Sequence, residues 1–274
     1  MQTHRPSFIS GSAVRRDRQA FLKFALSALL LLAGMVSLVL PSRAADEKFH
    51  QIYPLAAGGS FALENVNGSV QVEGWDRDEV DVSAVKTGRN DAHDLAQVKI
   101  EVDNSRPGQL AVHTRYPQGQ GAEVAVEYHV HVPYRVLLGS IETVNGSVTV
   151  RGIEGGGELR SVNGNVEVFD SSGCFSEKTT NGNLRLELRE LLAGGPMNLE
   201  TVNGSVLLGL PEGAGADVKV LAMNGDVYSE LPVTSAYGTP AARAFRARLG
   251  TGGGQISVRT INGGIRLVVQ RPGV

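Results

Sequence analysis

The alternation of apolar and polar residues along this chain is organised around a recurring Asn-Gly dipeptide. In all seven copies the residue three positions after the Asn is apolar, and in six the residue five positions after it is apolar. Such spacing in β-branched residues after a glycine-containing turn predicts β-strands. The copies lie at Asn67-Gly68, Asn145-Gly146, Asn163-Gly164, Asn181-Gly182, Asn203-Gly204, Asn224-Gly225 and Asn262-Gly263.

The spacing of the dipeptides indicates a tandem array. The five copies from Asn145 to Asn224 are 18, 18, 22 and 21 residues apart, and the last gap, 38 residues to Asn262, is close to two periods. The residue four positions before the Asn is apolar in every copy except Glu177, and the residue one position before it in every copy except Thr180. A period of about 20 residues is typical of stacked-coil proteins.

Two architectures use an Asn-Gly turn between strands. In a two-residue hairpin the apolar residue before the Asn would share a face with the polar residue two positions after it. A corner, at which one strand bends into the next, lets the side chains one position before and three positions after the Asn both point inward. The sequence therefore predicts an all-β fold, a β-solenoid or β-roll of about 20-residue coils with an antiparallel β insertion near its N-terminal side.

The fourteen Asn and Gly residues are then expected to be structural. Asn side chains at equivalent corners can hydrogen-bond along the stack as a turn ladder. The Gly that follows each Asn is expected to supply the positive φ of the corner. A ligand-binding role for these residues is the alternative, but such turns are commonly architectural.

The antiparallel insertion is expected within residues 58–135, before the tandem coils of residues 136–270. Its strands are predicted at Val80–Val85, Val98–Val102, Leu110–His113 and Glu123–Val132. In the last strand Val124, Val126 and Tyr128 share one face, and Glu127, His129 and His131 share the other. This strand is expected to be half-buried with a wet outer surface.

The first 44 residues have the composition of a secretory signal peptide. A basic flank of Arg15, Arg16, Arg18 and Lys23 precedes the apolar run Phe24–Leu40, and small residues follow at Ser42 and Ala44. We expect export with cleavage after Ala44, which leaves residues 45–274 as a single all-β domain in the periplasm or at the cell surface. The alternative is an uncleaved segment that anchors the chain in the inner membrane.

Charge and cysteine content narrow the function classes. Residues 1–44 hold six of the 26 basic residues and one of the 28 acidic residues, which leaves 20 and 27 and a net charge of −7. An acidic chain is not expected to bind nucleic acid. Cys174 is the only cysteine, so no intrachain disulfide can form, and it is interpreted as a small packed side chain.

Candidate chemical groups are few. His129 and His131 share a strand face and could bind a metal with Glu127 or His113, although an exposed polar face is the simpler interpretation. Asp76, Asp78 and Asp81 lack the Gly and distal Glu of a calcium loop. Arg243, Arg246 and Arg248 form a basic spot before Thr251–Gly254, which lacks the Lys of a phosphate loop. We therefore predict no catalytic residue, no cofactor and no metal ligand.

Several segments together resemble the bacterial putative adhesin family of exported domains. They are Val70-Gln-Val-Glu-Gly-Trp-Asp76, Val130-His-Val-Pro133, Gly139-Ser-Ile-Glu-Thr-Val-Asn-Gly-Ser-Val-Thr-Val150, Arg160-Ser-Val-Asn-Gly-Asn-Val166 and Arg259-Thr-Ile-Asn-Gly-Gly-Ile-Arg-Leu267. The resemblance covers roughly Gly58 to Val269. It implies a β-solenoid or β-roll with no enzymatic activity, located in the envelope or at the surface, and it carries over no catalytic residue.

The sequence thus favours an exported protein that binds or scaffolds at the cell envelope, its partner a protein or a polysaccharide. Open end coils of such a stack also predict self-association through those coils. Two alternatives stay open. One is a β-helical carbohydrate-active enzyme, which requires a carboxylate pair in one groove. The other is an accessory protein of envelope signalling, which would co-purify with membranes.

Overall fold

The computed structural model describes residues 45–88, 92–117, 123–192, 195–237 and 243–270, which belong to one compact unit, Ala44–Val274. The expected signal peptide lies outside the described residues. Over these ranges the chain forms 20 strands and one six-residue helix, and all the strands join a single hydrogen-bonded sheet. The fold is therefore nearly all-β. No helix in the described part is long and apolar enough to cross a membrane.

The strands follow the alternation of the sequence, and most carry buried side chains at every second position. The first ten are β1 Ala45–Pro54, β2 Ser60–Glu64, β3 Val70–Trp75, β4 Glu79–Gly88, β5 Lys99–Asp103, β6 Gln109–Arg115, β7 Val124–Pro133, β8 Leu137–Asn145, β9 Val148–Arg151 and β10 Glu154–Asn163. The others are β11 Val166–Asn181, β12 Leu184–Glu190, β13 Met197–Asn203, β14 Val206–Pro211, β15 Ala216–Asn224, β16 Val227–Ser229, β17 Val233–Tyr237, β18 Ala244–Leu249, β19 Gly254–Asn262 and β20 Ile265–Gln270. Helix α1 spans Ala92–Gln97.

Parallel pairing in register organises most of these strands into rungs. We call the strand that leads into a corner an entry strand, the strand that leaves it an exit strand, and the two together a rung. Entry strands pair with entry strands and exit strands with exit strands. In spatial order the rungs are β6–β7, β2–β3, β8–β9, β10 with the start of β11, the end of β11 with β12, β13–β14, β19–β20 and β15–β16.

The spatial order of the rungs differs from their order in the chain at both ends. The rung β19–β20 lies between β13–β14 and β15–β16, so the chain passes to the outermost position and then returns. The rung β6–β7 likewise lies outside β2–β3, which precedes it in sequence. The expectation that the 38-residue gap before Asn262 represents two successive periods was wrong. Between Asn224 and Asn262 the chain forms β16, β17 and β18 and then returns to form the rung β19–β20.

Antiparallel strands border the rungs at both ends. Strand β5 pairs antiparallel with β6, and β4 pairs antiparallel with both β7 and β1. At the other end β18 pairs antiparallel with β15 and β17. The four strands predicted in the insertion are present, but β6 and β7 also pair parallel with β2 and β3, so they form a rung without an Asn-Gly corner. The sequence pattern missed β1 and α1.

The inward side chains of entry and exit strands share one apolar core. Phe61, Phe175 and Tyr128 are among its largest fully buried side chains. The hydroxyl of Tyr128 lies 2.7 Å from Oγ1 of Thr114, and burial raises the pKa of Tyr128 to about 12. In β7, Val124, Val126 and Tyr128 are buried on one face, as the alternation predicts.

Candidate functional site

The structure brings the seven corner Asn side chains into a single column. Six of the seven donate Nδ2 to the Oδ1 of the neighbouring Asn at 2.8 or 2.9 Å, and Asn67 at the end of the column accepts. The column runs Asn67, Asn145, Asn163, Asn181, Asn203, Asn262, Asn224. The backbone pairs in the same register, for example Asn145 with Asn163 and Asn203 with Asn262. Seven corners are thereby aligned along one edge of the stack.

The glycines of the corners are required by close approach. A Cβ on Gly164 would lie 2.0 Å from the carbonyl oxygen of Gly146, and one on Gly204 would lie 1.9 Å from that of Gly182. Positive φ occurs at only two of these seven glycines, Gly68 and Gly263. The expectation that positive φ explains the whole set was therefore wrong. The rungs stack so closely at the corner that a side chain has no space.

A second polar column lies beside the Asn ladder, inside the stack. The buried residue two positions before the Asn donates its side-chain hydroxyl to the glycine carbonyl of the adjacent corner, as in Thr143 to Gly68 at 3.0 Å and Ser161 to Gly146 at 2.8 Å. Thr179, Thr201 and Thr260 repeat this bond at 2.8–2.9 Å. This column was not among the features predicted from the sequence. Its signal was the Thr or Ser that recurs at one fixed distance before Asn-Gly.

The residue immediately before each Asn is partly or largely exposed, and it is apolar at six of the seven corners. Val144, Val162 and Met223 are 38%, 41% and 46% exposed. The expectation that this position turns inward at the corner was wrong. Strand alternation continues up to the Asn, so the residues four and two positions before it are inside and the residue one before it is outside. We call this column the apolar stripe; its members are Val66, Val144, Val162, Thr180, Val202, Ile261 and Met223.

A charged column runs parallel to the apolar stripe on the same solvent side of the entry strands, which we call the outer face. It consists of the residues three positions before six of the seven Asn residues, together with the matching residue of β6; before Asn224 this position is the apolar Leu221. In spatial order it is His113, Glu64, Glu142, Arg160, Lys178, Glu200 and Arg259. Neighbours within it are in polar contact: Nδ1 of His113 lies 2.9 Å from Glu64, and ion pairs join Arg160 to Glu142 at 3.4 Å and Lys178 to Glu200 at 3.4 Å.

The stripe and the charged column together line a groove of about 540 Å³. Its walls include Val66, Val144 and Val162 from the apolar stripe and Arg160 and Lys178 from the charged column. Aligned apolar side chains rimmed by charges on an exposed surface are typical of an interaction site. The groove crosses several rungs, so an occupant would contact the same residue types repeatedly.

Glu177 is the one charged residue that takes a core position of the repeat in the described rungs. It stands where the neighbouring rungs carry Leu159 and Leu199, and it is 1% exposed. Neither of its carboxylate oxygens has a hydrogen-bond partner. Burial, and secondarily the charge of Glu167, raise the pKa of Glu177 well above its ordinary value. The raised pKa favours the neutral, protonated form of Glu177.

Of the histidines considered for metal binding, His129 and His131 share the outward face of β7, whereas His113 lies on a different strand, β6. His113 lies on an entry strand beside Glu64, while His131 lies on an exit strand and stacks on Trp75 with ring centroids 5.1 Å apart. Among the residues that the structure describes, no group of three or more His, Cys, Asp or Glu side chains could hold a metal ion.

The other candidate groups have structural contacts. Oδ1 of Asp78 accepts from the amide of Ala57 at 3.0 Å, and Asp81 lies 2.9 Å from His50. Cys174 is partly buried, with Sγ 3.8 Å from the carbonyl oxygen of Leu192.

The basic spot lies on β18. The Arg248 guanidinium donates to Asp217 at 2.8 Å, and this hydrogen bond lowers the pKa of Asp217 and raises that of Arg248. Lys219 and Arg246 are directly opposite each other in the antiparallel pair of β15 and β18. The basic spot therefore joins the end of the outer face.

Fold and site together define a nearly all-β protein with an exposed, repetitive face beside a column of Asn-Gly corners. No family model matches the chain, and no curated protein matches it. Among solved structures it is similar to a putative cell adhesion protein from Clostridium sporogenes, at 10% identity over 82% of this chain and 100% of that one, with a TM-score of 0.42. A putative adhesin from Bacteroides fragilis shows 10% identity over 81% and 97%, with a TM-score of 0.35. A putative lipid binding protein from Parabacteroides distasonis shows 8% identity over 81% and 97%, with a TM-score of 0.25.

Proposed function

We propose that this chain is an exported, non-enzymatic protein of the cell envelope that binds or scaffolds through the outer face of a β-solenoid. The observation that carries the proposal is the exposure of the apolar stripe. Apolar side chains aligned on a rigid surface and rimmed by charge favour a macromolecular partner. The partner class is a protein or a polysaccharide of the envelope.

The strand pairing supports the solenoid. Each rung contributes one entry strand and one exit strand, and about 4.8 Å separates neighbouring strands, so eight rungs span roughly 34 Å. Every interior corner contributes an Asn side-chain bond, and five of the seven repeat corners also have a hydroxyl bond to a glycine carbonyl. Such repetition holds the outer face in a fixed geometry without an intrachain disulfide.

Export is supported by the sequence of residues 1–44. A basic flank, an apolar run of 17 residues and the small residues Ser42 and Ala44 are the three parts of a signal peptide. Cleavage after Ala44 would leave β1 whole, because this strand spans Ala45–Pro54. The proposed location is the periplasm or the cell surface.

The proposal is tested by sedimenting the purified chain 45–274 with envelopes isolated from a bacterium that expresses it. We expect the wild type to sediment and the double variant Val144→Asp/Val162→Asp to lose about tenfold or more in affinity, because two charges would enter the apolar contact. Ile52→Asp is the matched control, since Ile52 is 51% exposed on β1 and far from the stripe in the strand order.

Treatment of the envelopes separates the partner classes. Loss of binding after protease treatment identifies a protein, and loss after periodate oxidation identifies a polysaccharide. Equal sedimentation of the wild type and the stripe variant would overturn the assignment of the outer face. Absence of sedimentation for both would overturn the envelope-binding function.

A further inference from the structure

Six of the seven members of the charged column, all except Arg259, have a sign pattern that reverses about the point between Glu142 and Arg160. Glu64 and Glu142 are acidic, and the next two positions, Arg160 and Lys178, are basic. The positions beyond these four are His113 on one side and Glu200 on the other. When the column is compared with a copy of itself that runs in the opposite direction, each of these six acidic or basic positions lies opposite a residue of the other kind. A surface with this property is complementary to a second copy of itself.

A two-fold axis parallel to the strands, placed between β8 and β10, brings the opposite signs together. Glu142 of one copy then faces Arg160 of the second copy, and Glu64 faces Lys178. His113 faces Glu200 in the same arrangement. In a two-fold interface each contact occurs twice, with the roles of the copies exchanged.

The same axis matches the apolar stripe. Val144 of one copy faces Val162 of the second, and these are the two stripe valines with the largest exposure. On the far side of the charged column the entry strands carry Ala62, Ser140, Glu158 and Ser176, of which only Glu158 is large. Glu158 pairs with Arg160 of its own copy at 2.9 Å and would face Ser140 of the second copy. Valine contacts therefore lie on one side of the ion pairs, and Glu158 with three small residues lies on the other.

We propose that a second copy of this chain occupies the groove, with the two outer faces packed together and their stacks antiparallel. The repeat distance favours this occupant. Stripe residues recur at about 4.8 Å, whereas side chains on one face of an extended peptide laid along the stack recur at about 6.6 Å. A second copy has the same repeat as the groove along its whole length. The inference rests on the proposed function only for the choice of surface.

The size of the contact indicates a reversible dimer. Six rungs by five residues cover roughly 30 Å by 17 Å, or about 500 Å² on each copy and about 1,000 Å² in total. This total is at the low end for a specific interface. Weak, reversible association is typical of interfaces of this size, so analytical ultracentrifugation over a wide range of protein concentrations is the suitable measurement.

Exchange of charges provides the test. Glu64 and Lys178 are three strand spacings apart within one copy, about 14 Å, and cannot pair with each other there. Chain 45–274 with Glu64→Lys, and separately with Lys178→Glu, should each dissociate about tenfold or more readily than the wild type, because like charges then meet at both symmetric contacts. An equimolar mixture of the two variants should recover dimers, since every contact in the mixed dimer joins opposite charges.

Two control variants accompany the test. The thermal unfolding midpoint of each variant shows whether that variant is folded. Glu73→Lys makes the same charge change on an exit strand and should dimerise as the wild type does. Glu64→Gln removes the attraction without adding repulsion and should give an intermediate affinity. A wild-type chain that stays monomeric at millimolar concentration, or two variants that do not recover on mixing, would overturn the inference. If the wild type is monomeric but binds envelopes, the dimer is excluded and the proposed function is retained. If the wild type dimerises but does not bind envelopes, the proposed function is excluded and the dimer is retained.

Discussion

The side-chain amide of Asn262 donates a 2.8 Å hydrogen bond to Asn203, 59 residues earlier in the chain. The backbone of the same two residues is in register between β13 and β19. Asn224, which lies between them in sequence, is outside both in space and donates to Asn262. Along the sequence, the outermost corner at Asn224 therefore comes before the corner at Asn262, which lies next to it in space.

The Asn ladder is expected to stabilise the stack in proportion to the bonds that each member makes. Asn163→Ala removes two side-chain bonds, one to Asn145 and one from Asn181, and should lower the free energy of unfolding by about 1–2 kcal/mol. Asn224→Ala removes one of the six ladder bonds, the bond to Asn262, and should cost about half as much. Urea denaturation of chain 45–274 measures both. Equal costs would contradict the additive ladder.

Close stacking at the corners predicts a large effect of one methyl group. Gly164→Ala would place Cβ 2.0 Å from the carbonyl oxygen of Gly146, so neighbouring rungs must separate. We expect a loss of about 3 kcal/mol or more, measured by the same denaturation. Gly254→Ala is the matched control, because its Cβ would meet no atom within 4 Å. A tolerated Gly164→Ala would mean that the corners are less tightly packed than described.

The buried hydroxyl column is expected to contribute separately from the ladder. Thr201→Val keeps the side-chain shape but removes the 2.9 Å bond to the carbonyl oxygen of Gly182. The free energy of unfolding should fall by about 1 kcal/mol. Thr180→Val makes the same change on the outer face and should be nearly neutral. If both substitutions had the same effect, the hydroxyl bonds would not be the cause.

Glu177 is expected to make stability fall as pH rises. Its pKa is raised in the folded state, so the folded chain retains a proton that the unfolded chain releases above about pH 4 to 5. The wild type should therefore lose stability from that range up to the folded pKa, and Glu177→Gln should remove this part of the pH dependence. The free energy of unfolding from pH 4 to pH 8 measures the difference between the two proteins.

Replacement of Glu177 by the residue type of the neighbouring rungs tests its core position. Glu177→Leu should stabilise the chain at pH 7 by about 1–3 kcal/mol, because two buried oxygens without partners are removed. Glu158→Leu, at a residue whose side chain is 55% exposed, should give no such gain. Destabilisation by Glu177→Leu would show that the carboxyl group has a favourable contact in the folded state.

Local pattern allowed the strands and the Asn-Gly corners to be predicted, because apolar alternation and turn residues act over a few positions. The order of the rungs was not predictable in this way. The segment around Asn262 fits beside Asn203 or beyond Asn224 equally well by its local residues. The rung formed by β6 and β7 was missed because it has no Asn-Gly, and helix α1 has only six residues.

At the candidate site the sequence indicated the residue types, but it did not indicate the face of the sheet on which each residue lies. Val144 and Val162 were expected inside because a corner was assumed to turn them, whereas alternation from Ile141 through Thr143 already places them outside. Solvent exposure of the stripe, and the alignment of Glu142 with Arg160, depend on which strands become neighbours. That information resides in long-range pairing.

Retention in the cell tests the outer-face assignment most directly. The protein and its Val144→Asp/Val162→Asp variant would be expressed at the same level, the cells broken, and the fraction of each that remains with the envelope measured by quantitative immunoblotting. We predict that most of the wild type remains with the envelope and most of the variant is released, with Ile52→Asp retained like the wild type. Equal retention of the wild type and the stripe variant would contradict the account.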